Sequence, residues 1–229
     1  MKISFTGLNI PEGKIKYKDP ILEKLASKDK PKKISPFFIE FLKDEHEISD
    51  AIIINKENLL DIIILDMEKC EARINRTDDE IEKKLLVKCL SQLEEEKALC
   101  NMKFTNDEIE ILKTLSFYSY KPVIQIDNNV EINNMIEIIL EKTASMFFYT
   151  SGPSESHAWL VPKNSDIVTC AGKIHTDLAR GFIKGDVVSY ENYMNCHNFN
   201  ECKSKGFAKM VDRDYIVQPN EIIEIRFNV

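Results

Sequence analysis

The sequence predicts an α+β protein in which a reduced α/β part carries an inserted antiparallel helical hairpin and is followed by a compact mixed sheet. Five of the seven glycines lie beyond residue 150, so the last third is typical of strands and turns and the middle of helices. Apolar residues recur at helical spacing through residues 59–103, whereas short apolar runs bounded by turn residues follow residue 145. This change in composition predicts a domain boundary near residues 145–152.

The first 58 residues contain the predicted elements of the α/β part. Residues 2–6 read as a strand that ends at Gly7, and residues 50–55 read as a buried strand because their apolar run is β-branched. Residues 20–27 and 36–47 are predicted to be helices.

Two helices with a polar turn between them predict the hairpin. The first covers residues 59–75, and the second begins after Thr77, whose spacing to Glu80 is that of a capping box. Thr105 and Glu108 have the same spacing and predict a further helix that extends to Leu115.

The remaining elements alternate. We expect a strand at 121–127 with Pro122 at its start, a helix at 131–144, and then strands and helices of a mixed sheet. The predicted strands are 147–150, 158–161, 183–190, 215–217 and 222–227, and the predicted helices are 166–180 and 201–210.

Charge and apolar content exclude several classes of protein. The formal net charge is −7, and residues 51–120 hold most of the excess, with ten basic and fifteen acidic residues. The net charge therefore does not favour non-specific electrostatic binding to nucleic acid, and we expect no DNA partner. No apolar run approaches the ~20 residues of a membrane helix, and the start is polar again by Asn9, so we expect a cytoplasmic protein with no membrane partner.

The six cysteines are expected to be reduced thiols. No two of them form a C-x-x-C pair. Cys196, His197 and Cys202 are an alternative as metal ligands, but a zinc site needs four ligands at tight spacings. We expect no metal.

The loop after the first strand resembles a phosphate-binding loop only in part. Gly7 and Gly13 are separated by five residues instead of four, Pro11 lacks an amide, and Ile15 stands where a hydroxyl would bind magnesium. Glu12 adds a negative charge where a phosphate would bind. We therefore expect an ordinary strand-to-loop turn, in which Lys14 takes the place of the lysine of a phosphate-binding loop.

Several segments resemble the YchF/Obg-like ATPase family. Residues 171–183 (AGKIHTDLARGFI) resemble the signature of the TGS-like domain that ends these ATPases, and so do residues 148–152, 157–159, 214–217 and 222–229. Upstream, residues 115–124 look like the strand before the family's base-recognition loop. The segments 65–70 and 89–94 look like anchors of its inserted coiled coil.

This resemblance implies a truncated family member with three parts. Residues 1–58 plus 104–145 would be a reduced G-domain-like remnant, residues 59–103 the helical hairpin (coiled coil), and residues 146–229 a TGS-like β-grasp domain. In the family the base-recognition loop reads N-x-x-E and favours adenine, and Asn128 and Glu131 match that pattern. The candidate nucleotide-binding residues are thus Asn128, Glu131 and Lys14.

Three hypotheses about function follow. The first is a non-catalytic, translation-associated module, not an enzyme and without a cofactor, that docks on the ribosome or RNA through the TGS-like domain. Its candidate contacts are basic residues and one histidine of the last third: Lys173, His175, Arg180, Lys184, Lys203, Lys205, Lys209 and Arg213. Trp159 and Phe182 would either stack on bases or pack in the core.

The second hypothesis is an adenine-nucleotide-binding regulatory protein with weak or no ATPase activity and ATP as its ligand. It requires Lys14, Asn128 and Glu131 to converge on one pocket. The third is a regulator that acts by protein contacts alone, with the acidic hairpin as its surface.

Overall fold

The computed structural model describes residues 1–228. The chain forms two compact units, the first made of residues 1–15 and 39–142 and the second of residues 16–38 and the chain from 143 onward. The segment 16–38, which the sequence placed in the α/β part, thus folds with the C-terminal strands. The three-part division stays a prediction, and Val229 of the predicted last part lies outside the described residues.

The strands fall into a five-stranded and a six-stranded sheet. In chain order they are β1 (Lys2–Thr6), β2 (Gly13–Lys16), β3 (Lys33–Ser35), β4 (Phe38–Lys43), β5 (Ala51–Ile54), β6 (Val123–Gln125), β7 (Ser145–Ser151), β8 (Glu155–Pro162), β9 (Phe182–Val188), β10 (Lys209–Val211) and β11 (Ile222–Phe227).

The α-helices are distributed along the whole chain. They are α1 (Pro20–Asp29), α2 (Leu59–Ile74), α3 (Glu80–Glu94), α4 (Asn106–Leu115), α5 (Ile132–Lys142), α6 (Ile167–Ile174), α7 (Thr176–Arg180), α8 (Tyr190–Met194) and α9 (Phe199–Ser204). Short 3₁₀ turns occur at Lys56–Asn58 and Leu99–Asn101.

The first unit is built on the five-stranded sheet, in the order β2-β4-β1-β5-β6. Strand β1 is parallel to β4 and β5, and β5 is parallel to β6. All four residues of β5 are buried, as expected for a central parallel strand covered on both faces. Helices α2 and α3 form the hairpin, whose core of Cys70, Leu86 and Cys89 is continuous with α4 through Leu112.

The hairpin is anchored by a buried carboxylate. Asp66 of α2 is fully buried and accepts hydrogen bonds from the backbone amides of Tyr118 (2.8 Å) and Ser119 (2.6 Å). Burial raises the pKa of Asp66, and the two amides partly offset that shift. The two hydrogen bonds fix the position of residues 118–119, at the start of the segment that leads into β6.

The second unit is built on the six-stranded sheet, in the order β10-β9-β11-β7-β8-β3. Helix α6 packs on one face against Phe148 and Ile223. Tyr149 points to the opposite face, because successive strand residues alternate, and its hydroxyl donates to Asp19 at the start of α1 (2.8 Å). Burial raises the pKa of both Tyr149 and Asp19.

These two mixed units confirm the predicted α+β class. Strands 2–6, 50–55 and 222–227 and the hairpin helices lie where the sequence places them, to within one or two residues. The capping box at Thr105 is present, with both reciprocal hydrogen bonds to Glu108.

The predicted helix at 36–47 is wrong, since residues 38–43 form β4. Ile39 and Phe41 are fully buried while Phe38 is exposed, so burial alternates with a period of two. Pairing with β1 over four residues outweighs the helical propensity of the segment.

Other predicted elements are interrupted. Helix 166–180 breaks at His175, whose backbone is extended and whose side chain caps α7. Residues 201–210 are not one helix, because α9 ends at Ser204 and residues 209–211 are strand β10. The predicted strand at 215–217 is reduced to a single bridge between Ile216 and Asp166.

The predicted capping box at Thr77 is also wrong. Helix α3 is capped by Asp79, which accepts from the amides of Ile81 (2.8 Å) and Glu82 (3.3 Å). The hydroxyl of Thr77 instead donates to the carboxylate of Glu82, which also holds Arg73 of α2.

Candidate functional site

The candidate nucleotide site lies at the edge of the first unit's sheet where β1, β5 and β6 end. These strands are parallel neighbours, and Thr6, Ile54 and Gln125 stand in one row across them. The residues that follow each strand therefore meet at the same edge. Open α/β sheets bind ligands outside the carboxyl ends of their strands.

Asn128 and Glu131 lie beside each other after β6. Asn128 is exposed in a turn closed by the amide of Val130 and the carbonyl of Asp127 (3.2 Å). The carboxylate of Glu131 accepts from the amides of Asn133 (2.9 Å) and Asn134 (3.3 Å), so it caps α5. Asn128 thus offers a side-chain amide to a ligand, while Glu131 holds the helix that follows.

The turn after β1 is closed by two asparagines. Gly7 has a φ of +71°, and the side-chain amide of Asn55 donates to its carbonyl (3.1 Å). A Cβ on Gly7 would lie 1.8 Å from Oδ1 of Asn58. No helix follows this turn before β2 begins at Gly13, so residues 7–12 do not form the strand-loop-helix cradle of a phosphate site.

Lys14 is not brought to this edge. It lies exposed on β2, and three strands separate β2 from β6 in the sheet. At about 4.8 Å per strand the two strands are roughly 19 Å apart. The structure therefore brings Asn128 and Glu131 together but places Lys14 at the opposite side of the sheet.

At this edge the side chain of Asn128 is exposed, whereas the turn after β1 leads into a strand and not into a helix. The amide of Asn128 can donate to and accept from the edge of adenine, as asparagine does in base recognition. Gly7 lies against the side chain of Asn58, which leaves no room for a Cβ at this position.

Four of the eight predicted docking residues of the second unit form ion pairs with carboxylates. Lys203 of α9 contacts Asp186 (3.1 Å) and Glu224 (2.7 Å). The other ion pairs are Lys184 with Asp212, Lys205 with Glu201 (2.7 Å) and Arg180 with Asp177 (3.0 Å).

The other four predicted residues differ in their surroundings. Nδ1 of His175 accepts from the amide of Asp177 (3.2 Å), and Arg213 donates to the carbonyl of Phe182 (3.2 Å). Lys173 and Lys209 have no ion pair within the described part of the chain. Lys203, Lys205, Lys209 and Arg213 do not share a helical face, since Lys209 belongs to β10.

The sequence reasoning missed two features of the second unit. Segment 16–38 brings seven lysines to it against three carboxylates, a local excess of positive charge that is visible in the sequence. The imidazole of His157 stacks on the indole of Trp159, with ring centroids 3.5 Å apart and planes 19° from parallel. Their two-residue spacing on a strand is the only sign of this pair in the sequence.

The polar surroundings of His157 are well defined. Glu155 accepts from Ser35 (2.5 Å) and pairs with Lys33 (2.9 Å), and these two contacts lower the pKa of its carboxyl. Burial lowers the pKa of His157, which favours the neutral form of its imidazole. Trp159 donates from Nε1 to Oγ1 of Thr150 (3.0 Å).

Five of the six cysteine side chains are buried. All six cysteines are free, and burial raises the pKa of Cys70 and Cys202 to about 12. Within residues 1–228 no three His, Cys, Asp or Glu side chains are grouped to hold a metal ion. In the same part of the chain no helix has the length and apolarity needed to cross a bilayer.

Comparison with known proteins finds similarity in the second unit and in part of the first. Residues 146–228 match the family model YchF-GTPase_C, described as a protein of unknown function (DUF933). The predicted resemblance to YchF and the Obg-like ATPases is confirmed. Human Obg-like ATPase 1 is 39% identical over 82 residues, which are 36% of this chain and 21% of that protein.

The match to bacterial relatives extends into the first unit. The ribosome-binding ATPase YchF of Buchnera aphidicola subsp. Baizongia pistaciae is 24% identical over 80% of this chain and 67% of its own length. That of Buchnera aphidicola subsp. Schizaphis graminum is 26% identical over 79% of this chain, which spans 66% of it. This chain therefore spans about two thirds of the bacterial YchF proteins.

A solved structure shares the fold. The Schizosaccharomyces pombe YchF GTPase superimposes with a TM-score of 0.80 over 99% of this chain and 97% of that one, at 15% sequence identity. At that identity the likeness shows the fold alone.

The expectation that this chain is not an enzyme is wrong. The relatives it matches over most of its length and in its C-terminal part are named ATPases. The departures at residues 7–15 led to that expectation, and the matches contradict it.

Proposed function

We propose that this protein is a cytoplasmic, ribosome-associated member of the YchF/Obg-like ATPase group that binds adenine nucleotide. The observation that carries the proposal is the match to ribosome-binding ATPases named YchF over 80% of the chain. The family-model match covers only residues 146–228, so this longer similarity reaches the unit that holds Asn128.

The carboxyl edge of the five-stranded sheet supports nucleotide binding. Asn128 would hold the adenine edge, and the helix cap made by Glu131 would keep the turn 127–130 in place. ATP bound there would supply a phosphoanhydride for hydrolysis. Lys14 stays a predicted contact, although three strands lie between β2 and β6.

The second unit supports docking. Its predicted TGS-like β-grasp domain would contact the ribosome or RNA, and the predicted contacts there are Lys173, His175, Arg180, Lys184, Lys203, Lys205, Lys209 and Arg213. Lys173, Lys209 and Arg213 are the basic members that form no ion pair with a described carboxylate. The hairpin at 59–103 is proposed as a surface for a protein partner.

Calorimetric titration with ATP and magnesium tests nucleotide binding. We expect saturable heat with the wild-type chain, loss of that heat in Asn128→Ala, and retention in Asn129→Ala. Asn129 is the matched control, since it is the adjacent exposed asparagine of the same turn. No heat at millimolar ATP would contradict the proposal. Release of inorganic phosphate from the same samples measures hydrolysis.

Co-sedimentation with ribosomes tests the association. We expect the protein to pellet with ribosomes and to remain in the supernatant without them. Protein that stays in the supernatant at low salt, in the presence and absence of ATP, would contradict a ribosomal role.

A further inference from the structure

Two clefts adjoin in the first unit, where α2 faces the end of α4. The first, of about 490 Å³, lies between α2 and residues 114–117. The second, of about 530 Å³, is lined by the end of α4, the chain that follows it and residues 47–48. Glu47, Ser116 and Phe117 line both clefts, so the two form one continuous groove, which we call the α2–α4 groove.

Basic side chains dominate the walls of the α2–α4 groove. Five basic residues line it against a single carboxylate, that of Glu47. The basic residues are Lys69, Arg73, Arg76, Lys113 and Lys121. Residues 51–120 as a whole have ten basic and fifteen acidic residues, so the groove reverses the charge balance of its surroundings. Its walls favour an occupant with negative charge.

Three of these cations follow one another along α2. Lys69 and Arg73 are four residues apart on the helix, and the amide of Arg76 donates to the carbonyl of Arg73 (3.0 Å), which continues the turn. Residues at this spacing share one side of a helix. At about 1.5 Å per residue, the row from Lys69 to Arg76 is roughly 10 Å long, so a complementary occupant carries negative charge over that distance.

Lys69 stands where the two clefts meet. Its Nζ donates to the carbonyl of Ser116 (3.0 Å), a residue that lines both clefts. The same Nζ lies over the ring of Tyr118, 3.2 Å from the ring centroid. The first cation of the row is therefore held in a fixed position at the centre of the groove.

The other two cations of the row are accessible. Glu82 holds Arg73 from the side of α3, yet the side chain of Arg73 keeps 51% of its exposure. Arg76 is exposed, and within residues 1–228 it forms no ion pair. The row thus offers one guanidinium that is already oriented and one without a carboxylate partner.

The opposite end of the groove is apolar. Ile48 is 55% exposed and lines the second cleft together with Leu112, Phe117 and the half-buried Tyr120. Because Ser116 lines both clefts and is bonded to Lys69, the row of cations begins where this apolar end stops. An occupant of the whole groove therefore combines carboxylates with an apolar side chain beside them.

We propose that the α2–α4 groove binds an acidic peptide segment of a protein partner that carries a large apolar side chain next to its carboxylates. The carboxylates would pair with Lys69, Arg73 and Arg76, and the apolar side chain would cover Ile48. This inference rests on the proposed role of the hairpin as a surface for a protein partner. It names the groove as the contact site and gives the chemistry of the partner.

An acidic peptide suits the groove better than RNA does. Single strands of RNA bind through cationic contacts to phosphates together with stacking of bases on aromatic rings. In the groove, Lys69 covers the ring of Tyr118, Phe117 is buried, and the exposed apolar side chain is the aliphatic Ile48. RNA would therefore use the cations alone, whereas a peptide with acidic and apolar residues uses both ends.

Fluorescence anisotropy with labelled peptides tests the groove. The probe is the fluorescein-labelled peptide GDEDEGLFG, and the reference is GNQNQGLFG, in which amides replace the carboxylates. We expect the acidic peptide to bind in a saturable way and the amide peptide to bind at least about tenfold more weakly, because it cannot complement the row of cations. The affinity for the acidic peptide should fall as salt is raised from about 0.05 M to about 0.5 M.

The double variant Ile48→Ala/Arg76→Ala removes one contact at each end of the groove. We expect it to weaken binding by about fivefold to twentyfold, through one lost charge pair and one lost apolar contact. The matched control is Ile81→Ala/Lys84→Ala, which removes an exposed isoleucine and an exposed lysine of α3 that lie outside the groove. We expect the control to stay within about twofold of wild type.

A third variant is expected to bind more tightly. Glu47→Gln removes the one carboxylate that lines the groove and keeps an acceptor for the hydroxyl of Tyr118, which donates to Glu47 (3.3 Å). We expect the acidic peptide to bind this variant about twofold to fivefold more tightly. A gain in affinity cannot result from a loss of folding.

Several results would overturn the inference. They are equal losses in the two double variants, equal affinities for the acidic and the amide peptide, weaker binding by Glu47→Gln, and displacement of the probe by a 12-nucleotide oligouridylate as readily as by unlabelled peptide. Loss of binding in the α3 control alone would exclude the groove and leave the hairpin standing as a partner surface.

Ribosome pelleting keeps this inference apart from the ribosomal role. A chain that pellets with ribosomes but does not bind the acidic peptide loses only this inference. A chain that binds the acidic peptide as expected but never pellets loses only the ribosomal role.

Discussion

At the scale of single residues, Gly7 shows most clearly how the first unit is constrained. Its φ of +71° is rarely adopted by other residues, and its α-carbon faces Asn58. We expect Gly7→Ala to destabilise the protein by about 2 kcal/mol or more, from the backbone conformation and the 1.8 Å overlap together. Urea denaturation measures this loss.

Two variants make the Gly7 prediction specific. Gly152→Ala should change stability by less than about 0.5 kcal/mol, since a Cβ there meets nothing within 4 Å. Adding Asn58→Ala to Gly7→Ala should recover part of the loss, because it removes the side chain that a Cβ would strike. If the double variant is as unstable as the sum of the single variants, the overlap with Asn58 is not the cause.

At the scale of elements, a salt bridge between Arg73 of α2 and Glu82 of α3 links the two hairpin helices beside their turn. Glu82 accepts from Nε of Arg73 at 2.7 Å and from Nη2 at 3.1 Å, and also from Thr77. These bonds, that from Arg73 above all, hold the pKa of Glu82 below its usual value of 4.5. A carboxylate with a lowered folded-state pKa stabilises the fold above its unfolded pKa and loses that contribution as the pH falls.

Measuring Tm against pH for wild type and Glu82→Gln tests the Arg73–Glu82 salt bridge. We expect wild type to have a higher Tm than the variant at pH 7, and the difference to shrink as the pH falls through 4.5 towards 3. Glu80→Gln is the control, since Glu80 is exposed in the same first turn of α3 and no described side chain pairs with it. A Tm difference that stays constant across this range would contradict the role of ionised Glu82.

Elements differ in how well the sequence predicts them, for physical reasons. The hairpin helices and α4 are read from their own residues, because apolar spacing and caps such as Thr105 are local signals. Strands β3 and β4 are not, since their extended form depends on pairing with β8 and β1. The break at His175 was missed because an extended histidine that caps a helix has no strong sequence signature.

In the candidate site, too, features with a local sequence signal could be predicted and features that depend on strand pairing could not. Asn128 and Glu131 could be predicted as site residues because the family resemblance gives them within one four-residue motif. The distance of Lys14 from them, and the filling of the Gly7 turn by Asn55 and Asn58, depend on which strand lies beside which. A sequence read along the chain does not contain that order.

At the scale of the whole molecule, the second unit contains more than the region of the family match. Leu22 and Leu25 of α1 are buried, Asp19 accepts from Tyr149, and Asp29 accepts from Ser151 (2.6 Å) and Tyr193 (2.7 Å). We expect the fragment 143–229 alone to be poorly folded, because it lacks both α1 and β3. Near-ultraviolet circular dichroism measures the packing of its aromatic residues.

The fragment prediction has a direct control. A synthetic peptide of residues 16–38 added to the fragment should restore the spectrum, whereas a peptide with Leu22→Asp and Leu25→Asp should not. A fragment whose spectrum is already native-like and unaffected by either peptide would show that the segment is dispensable for folding.

The division of the second unit between residues 16–38 and the chain after 142 has a consequence for synthesis. A chain grows from its N-terminus at roughly 5–20 residues per second. Residues 39–142 therefore take on the order of 5–20 s to synthesise, and only after that time do the strands that pack with α1 and β3 begin to be made. During that interval the apolar side of α1 has no strands to cover it. Nascent chains are therefore expected to recruit a holding chaperone at this segment, and to release it only when β7 and β8 emerge.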